Sequence, residues 1–380
     1  MLNRLPEEVL NRVIRHLDTP ETLADLSHLS LVSSQLSSSI WSYRSRHPVF
    51  QSSTQAQQYL KAYKKPQTQV ETLIVCRGER RKVVQVKVGR KKVSKELEDS
   101  VTEEELVQLC RVLSNLKEIR LEEPSFATLR RRQIGFALNL SQLRNLSIIG
   151  RSSASTAENE GGFNLTAIGQ ILDTVPQLKH LELRNIRSSK TSLSGIPQPT
   201  FQLSSFSLFT SHFLTSSQLT WLLSSSTNAE SLRTIEFYLP RNVLPYELHS
   251  IYWAPIRVTS LFISCENVRV IESIPLHCPH LEQFELNLLS RQELVDARKL
   301  LKNSTQYRRL KEIRDSSKRE GGGLNLGSMA EGLLLYRRKV GISKIVLVSG
   351  MAREDGHLEL KAVCRVLGVA LEQWNKGMER

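Results

Sequence analysis

The 380-residue sequence predicts an α/β chain: a three-helix unit over residues 1–50, then a strand-plus-helix solenoid over residues 51–380. Three observations predict it. Apolar residues in the first fifty positions keep helical spacing in three short runs. An aliphatic-x-x-aliphatic-x-aliphatic pattern, with Phe allowed, returns down the chain at intervals mostly in the twenties. The segments between these patterns carry apolar residues at helical spacing, so strand and helix alternate.

The first helix starts near Pro6, whose missing N–H costs nothing at the first helical position, with Glu7 and Glu8 at the positive end of the helix dipole. Val9, Leu10, Val13, Ile14 and Leu17 fall on one stripe of it. Asp18 or Thr19 caps a second helix carrying Leu23, Leu26 and Leu29, and Val32, Leu36 and Ile40 make a third that closes at Trp41. Three helices in about forty residues do not bury that much apolar surface among themselves, so the excess needs the rest of the chain or a partner.

In order, Leu5-Pro6-Glu7-Glu8, Leu17-Asp18-Thr19-Pro20, Leu29-Ser30-Leu31-Val32-Ser33 and Trp41 make residues 5–45 resemble the F-box; Gln35-Leu36 departs from its usual basic-Trp pair. That resemblance implies that these helices bind a Skp-type adaptor and, through it, a cullin scaffold. The adaptor-contact candidates are Leu5, Pro6, Val9, Leu10, Val13, Ile14, Leu17, Leu29 and Val32. Part of this set packs the F-box's own core.

After Trp41, the polar stretch Ser52–Gln58 and a short segment with Tyr59 and Tyr63, ended by Pro66, read as a hinge. The repeating pattern opens at Val70/Leu73/Val75. It continues at Leu116/Ile119/Leu121, Leu143/Leu146/Ile148, Leu178/Leu181/Leu183, Leu203/Phe206/Leu208, Leu232/Ile235/Phe237, Val258/Leu261/Ile263 and Leu281/Phe284/Leu286. Counted from Leu116 between first members, the steps are 27, 35, 25, 29, 26 and 23 residues, the size of a leucine-rich repeat. Leu106, Leu109, Cys110 and Leu113 have helical spacing, as do Ile168, Ile171, Leu172 and Val175, and Leu219, Leu222 and Leu223. The turns Val175-Pro176-Gln177-Leu178 and Cys278-Pro279-His280-Leu281 resemble those before strands in the leucine-rich repeats of F-box proteins. The repeats are irregular, since Asn185, Asn267 and Asn287 do not keep one register.

Two insertions interrupt the series. Val83, Val84, Val86 and Val88 followed by Gly89 predict a hairpin in the surplus before Leu116, and Ser152–Gly162 reads as a surface loop. Beyond Leu286 the pattern weakens: Leu310 and Ile313 fit but Asp315 takes the last apolar place, and Ile342/Ile345/Leu347 restores it once. A final helix carrying Leu358, Leu360, Val363, Leu367, Leu371 and Trp374 is expected to cap the stack.

Lys and Arg outnumber Asp and Glu by 52 to 38, a net +14. Residues 77–95 hold nine of the cations, among them Arg80, Arg81, Lys82, Arg90, Lys91 and Lys92, against Glu79 alone. Such a patch suits nucleic-acid phosphates, an acidic partner or a nuclear-import receptor, and equally a solvated hairpin. No aromatic residue lies in it to stack bases. Five widely spaced cysteines without a C-x-x-C pair read as reduced, buried thiols. With no long apolar stretch and no secretory leader at the start, the expected location is cytoplasmic or nuclear, without membrane contact.

No chemistry-bearing motif stands out. The Gly321–Gly327 run lacks the Lys-Ser/Thr of a P-loop and reads as a linker. His277, Cys278 and His280 have no second cluster to complete a tetrahedral metal set and read as a turn. No cofactor, metal or catalytic residue is expected. An F-box followed by leucine-rich repeats resembles the non-catalytic substrate-recognition subunit of a Skp-cullin-F-box ubiquitin ligase. The target would then lie on the strand face, on Lys117, Arg120, Arg144, Lys179, His180, Arg233, Glu282 and Glu285. The competing reading is a repeat scaffold that binds nucleic acid or an acidic partner through residues 77–95.

Overall fold

A computed structural model describes residues 37, 40, 45–63, 65–76, 81–88, 91–98, 100–122, 140–150, 165–172, 175–186, 197–209, 216–228, 231–238, 257–265, 268–273, 278, 280–288, 294–304, 309–317, 323–336, 339, 341–348 and 356–374. It is a mixed α/β structure in which parallel strands alternate with helices. The chain divides into two compact units, Met1–Leu178 and Lys179–Arg380.

In the first unit, strands β1 (Val49–Phe50), β2 (Thr72–Cys76), β5 (Glu118–Glu122) and β6 (Asn145–Ile149) lie side by side in parallel. The segment read as a hinge is structured. Ser52 caps helix α1 (Ser53–Ala62) by accepting the Gln55 N–H, and Phe50 of β1 meets Tyr59 of α1 edge-on at 5.2 Å. The basic stretch folds as expected into a hairpin: β3 (Arg81–Val88) pairs antiparallel with β4 (Lys91–Glu98), with Val88 opposite Lys91. These two strands form a sheet of their own.

Helix α2 (Glu103–Val112) begins with a capping box: Thr102 Oγ1 accepts the Glu105 N–H at 3.3 Å, and Glu105 Oε2 accepts the Thr102 N–H at 2.9 Å. Glu105 also joins two helices. Its Oε1 accepts the Ser53 hydroxyl at 2.6 Å and the Gln57 amide at 2.8 Å, and it is only 7% exposed. Glu105→Ala strands several of these donors, so a loss of about 2–3 kcal/mol is expected in urea unfolding, with Glu105→Gln costing less than half as much.

In the second unit, β7 (His180–Arg184), β8 (Ser205–Phe209), β9 (Thr234–Tyr238), β10 (Ser260–Cys265), β11 (Gln283–Leu288), β13 (Glu312–Asp315), β15 (Lys344–Val348) and β16 (Ala370–Trp374) form a parallel sheet in that order. A side pair, β12 (Leu294–Val295) with β14 (Gly323–Leu324), forms a two-stranded sheet of its own. Helices α4 (Ser216–Asn228), α5 (Val268–Ser273), α6 (Ala297–Ser304), α7 (Leu326–Tyr336) and α8 (His357–Leu367) fill the connections, and α3 (Leu165–Leu172) precedes β7 at the end of the first unit.

The recurring sequence pattern is the strand register. The three apolar positions of every repeat named above, and of Ile342/Ile345/Leu347, are buried, and the residues between them along the strands are mostly half-exposed. A parallel strand covered on one face by helices needs this alternation. The residue before each strand adds a backbone seam. The Lys179 carbonyl accepts the N–H groups of both Ser204 and Ser205, the Ser204 carbonyl those of Arg233 and Thr234, and the Arg233 carbonyl those of Thr259 and Ser260. The seam continues through Thr259, Glu282, Lys311 and Ser343, and in the first unit through Glu71 and Lys117.

Two expectations are corrected past β11. The glycine run is more than a linker: Gly323 and Leu324 form β14, and Asn325 Oδ1 accepts the Ser328 N–H at 2.8 Å where α7 begins. The expected final helix stops at Leu367. Gly368 takes φ 72°, its N–H bonds to the Cys364 carbonyl, and Ala370–Trp374 becomes β16 on β15. A left-handed C-terminal residue without a Cβ ends the helix there. Asp315 is 1% exposed at a core-facing place between Leu286 and Leu347, and polar bonds replace apolar packing around it.

Candidate functional site

The nine adaptor-contact candidates, Leu5, Pro6, Val9, Leu10, Val13, Ile14, Leu17, Leu29 and Val32, lie outside the described residues. Ile40, from the third expected helix, is helical and buried. Of the basic patch, Arg81 and Lys82 lie on β3 and Lys91 and Lys92 on β4, while Arg80 and Arg90 lie outside the described residues, as does the Ser152–Gly162 loop.

The target-contact candidates sit on the strand faces of both units. In the first, Lys117 precedes β5 and its Nζ lies 2.6 Å from Glu71 Oε1, a hydrogen bond that holds the Glu71 carboxyl below the usual range. Arg120, exposed on β5, meets the Glu122 carboxylate at 2.5 Å, and Arg144 is exposed just before β6. In the second unit, Lys179 Nζ reaches the Gln202 carbonyl at 3.3 Å, His180 is exposed on β7, and Arg233 donates to the Arg257 carbonyl at 3.3 Å. Glu282 accepts from Lys311 at 2.8 Å, and Glu285 is half-exposed on β11.

Register aligns the open face of the second unit into rows. Through the strand centres run Glu182, Ser207, Glu236, Phe262, Glu285, Arg314, Val346 and Glu372. That row carries four carboxylates and one guanidinium. Glu182 holds Arg184 at 2.5 Å, Glu312 holds Arg314 at 2.5 Å, Glu372 holds Lys344 at 2.8 Å, and Glu236 accepts the Ser207 hydroxyl at 2.9 Å. One step along the strands, the Arg184 guanidinium lies 4.2 Å from the Phe209 ring centre, Phe209 stacks on Tyr238 at 3.8 Å, and Tyr238 meets Phe262 at 4.8 Å. A hollow of about 220 Å³ opens beside this ladder, lined by Glu236, Phe262, Gln283, Glu285 and Arg314 among others.

Of the second unit's target-contact candidates, Glu285 stands in this row, whereas Arg184, Phe209 and Tyr238 were missed. Each follows the last apolar position of its repeat, and carrying the two-residue alternation one strand position further would have included them. Glu312, Arg314, Lys344 and Glu372 were missed because the apolar pattern weakens there.

The five cysteines are buried free thiols, as expected. Burial pushes the Cys110 thiol up to about 12 and Cys364 up to about 11, and raises Cys278 as well, which suits packing and disfavours nucleophilic use. His280 Nδ1 accepts a bond from Arg309 at 2.6 Å. Among the described residues no helix is long and apolar enough to cross a membrane.

The family model for the F-box domain matches residues 2–47. No curated protein matches the chain. F-box domains bind Skp-type adaptors in Skp-cullin-F-box ligases, and F-box proteins are typically non-catalytic, so the match supports an adaptor-binding role for the N-terminal segment.

Proposed function

We propose that this protein is the substrate-recognition subunit of a Skp-cullin-F-box ubiquitin ligase, itself non-catalytic and acting in the cytoplasm or nucleus. The F-box match to residues 2–47 carries the reading. Residues 1–50 form the three-helix F-box, whose apolar stripe around Leu10 and Ile14 meets the adaptor. Residues 51–380 form an irregular leucine-rich-repeat solenoid whose strand face holds a protein target. The parallel strands, with apolar positions buried and polar ones outward, support that face as a binding surface. The test is capture of a purified Skp-type adaptor by the full-length chain; absence of capture overturns the reading.

A second reading rests on the hairpin, a separate two-stranded sheet in the segment where the positive charge is concentrated. Here the chain is a scaffold that holds nucleic acid or an acidic partner. Affinity for single- or double-stranded nucleic acid would then fall steeply with salt, and neutralising Arg90, Lys91 and Lys92 together would reduce the slope by about 2–3. A flat salt dependence in a titration with labelled oligonucleotides rejects it.

A further inference from the structure

Within the proposed target-binding face, on which this inference rests, the region around Phe262 has the parts of a receptor for a guanidinium. The protein already contains one such arrangement. Arg184 lies over the Phe209 ring at 4.2 Å while the Glu182 carboxylate holds it at 2.5 Å, so ring face and carboxylate act on the same cation. Three strands further, Phe262 has Glu236 beside it on β9 and Glu285 beside it on β11. Neighbouring strands are about 4.8 Å apart, so Phe262 stands between two flanking strands that each carry a glutamate in the same row. Tyr238 extends the aromatic surface at 4.8 Å, and the adjacent hollow of about 220 Å³ gives room for a side chain.

We propose that this part of the sheet docks an extended, arginine-bearing segment of the target protein, one arginine lying over Phe262 between Glu236 and Glu285. Charge complementarity selects this occupant over an acidic one. The cation nearest the hollow, Arg314, is turned to Glu312 at 2.5 Å, and the Lys311 ammonium to Glu282 at 2.8 Å. Arg233, at the N-terminal end of β9, is directed to the Arg257 carbonyl. A planar guanidinium suits the site better than an ammonium, since it stacks on a ring and bonds two carboxylates from its edge.

The whole-chain charge makes the test discriminating. A protein of net +14 attracts acidic peptides non-specifically and repels basic ones, so preference for an arginine peptide requires a local site. The probe is a fluorescein-labelled nonapeptide with arginine at alternate positions in an Ala/Val background, compared by anisotropy with its lysine and glutamate counterparts on the full-length chain. The expected order is arginine, then lysine, with glutamate weakest. Glu236→Gln and Glu285→Gln should each weaken the arginine peptide about tenfold, and Phe262→Leu about fivefold, at unchanged urea midpoints. Equal or tighter binding of the glutamate peptide, or indifference to both Gln variants, overturns the inference. Adaptor capture is measured on the same preparations. Capture retained without arginine preference removes this inference alone, whereas arginine preference without capture removes the ligase reading and leaves the site.

Discussion

Leu10→Asp and Ile14→Asp are each expected to lower the affinity of the full-length chain for a Skp-type adaptor by more than about 100-fold. Burying one Leu or Ile side chain contributes about 1.5–3 kcal/mol, and a carboxylate in its place adds a desolvation cost of similar or larger size. A hundredfold loss needs only about 2.7 kcal/mol, so one substitution suffices if the side chain meets the adaptor. Arg15 lies on the opposite side of the same predicted helix, and Arg15→Ala should leave binding within about twofold. Calorimetric titration with purified adaptor reads all three variants. An unchanged urea transition of the strand-and-helix region shows that any loss is local to the N-terminal helices. If both Asp variants still bind as the wild type does, the stripe is not the adaptor surface.

The second large effect is expected at Asp315. Its Oδ2 accepts the Leu324 N–H at 2.7 Å and its Oδ1 the Ser317 N–H at 3.0 Å, while the Ser317 hydroxyl oxygen accepts the Leu288 N–H at 2.8 Å. One buried carboxyl thereby ties the end of β13 to β14 and, through Ser317, to the end of β11. Asp315→Ala leaves two buried N–H groups unsatisfied and should cost roughly 3 kcal/mol or more in urea unfolding. Asp315→Leu, the residue the repeat pattern prescribes, should also destabilise the chain, because apolar volume does not replace the lost acceptors.

Burial holds the Asp315 carboxyl above its ordinary range, with the Leu324 and Ser317 N–H bonds opposing part of that rise. The folded chain therefore holds this proton more tightly than the unfolded chain. The associated stabilisation is complete below the unfolded pKa of about 3.9 and is lost as pH rises through the folded value. The stability gap between wild type and Asp315→Asn should accordingly shrink as pH is raised from about 4 toward neutrality. A gap independent of pH over that range would show that Asp315 does not titrate in the fold.

The core strands were legible because one physical constraint acts on all of them. A parallel strand with helices on one side must bury alternate residues, so Leu116/Ile119/Leu121 and the triplets after it mark β5 to β11 without reference to any partner. The hairpin was legible for a local reason as well, since closely spaced valines followed by Gly89 are a short-range signal for a strand that pairs with its neighbour. The short N-terminal strand was not. Val49 and Phe50 become β1 only because Ile74 and Val75 offer an edge to pair with, and the residues themselves carry no repeat signal.

By itself, then, the sequence determined the alternation of strand and helix, the apolar places that face the core, and the F-box resemblance at the N-terminus. Each is written in residue types at short range, where burial and helical or strand periodicity leave a direct trace. Tertiary structure alone decided that Asp315 fills an apolar place as an acceptor, that Gly368 ends a helix so that Ala370–Trp374 joins the sheet, and that Glu105 bridges two helices. It also decided that Arg184, Phe209, Tyr238 and Phe262 form one ladder, though they come from four different strands. Those outcomes depend on which groups come within hydrogen-bond or ring-contact distance, and that is set by strand register across tens of residues of chain.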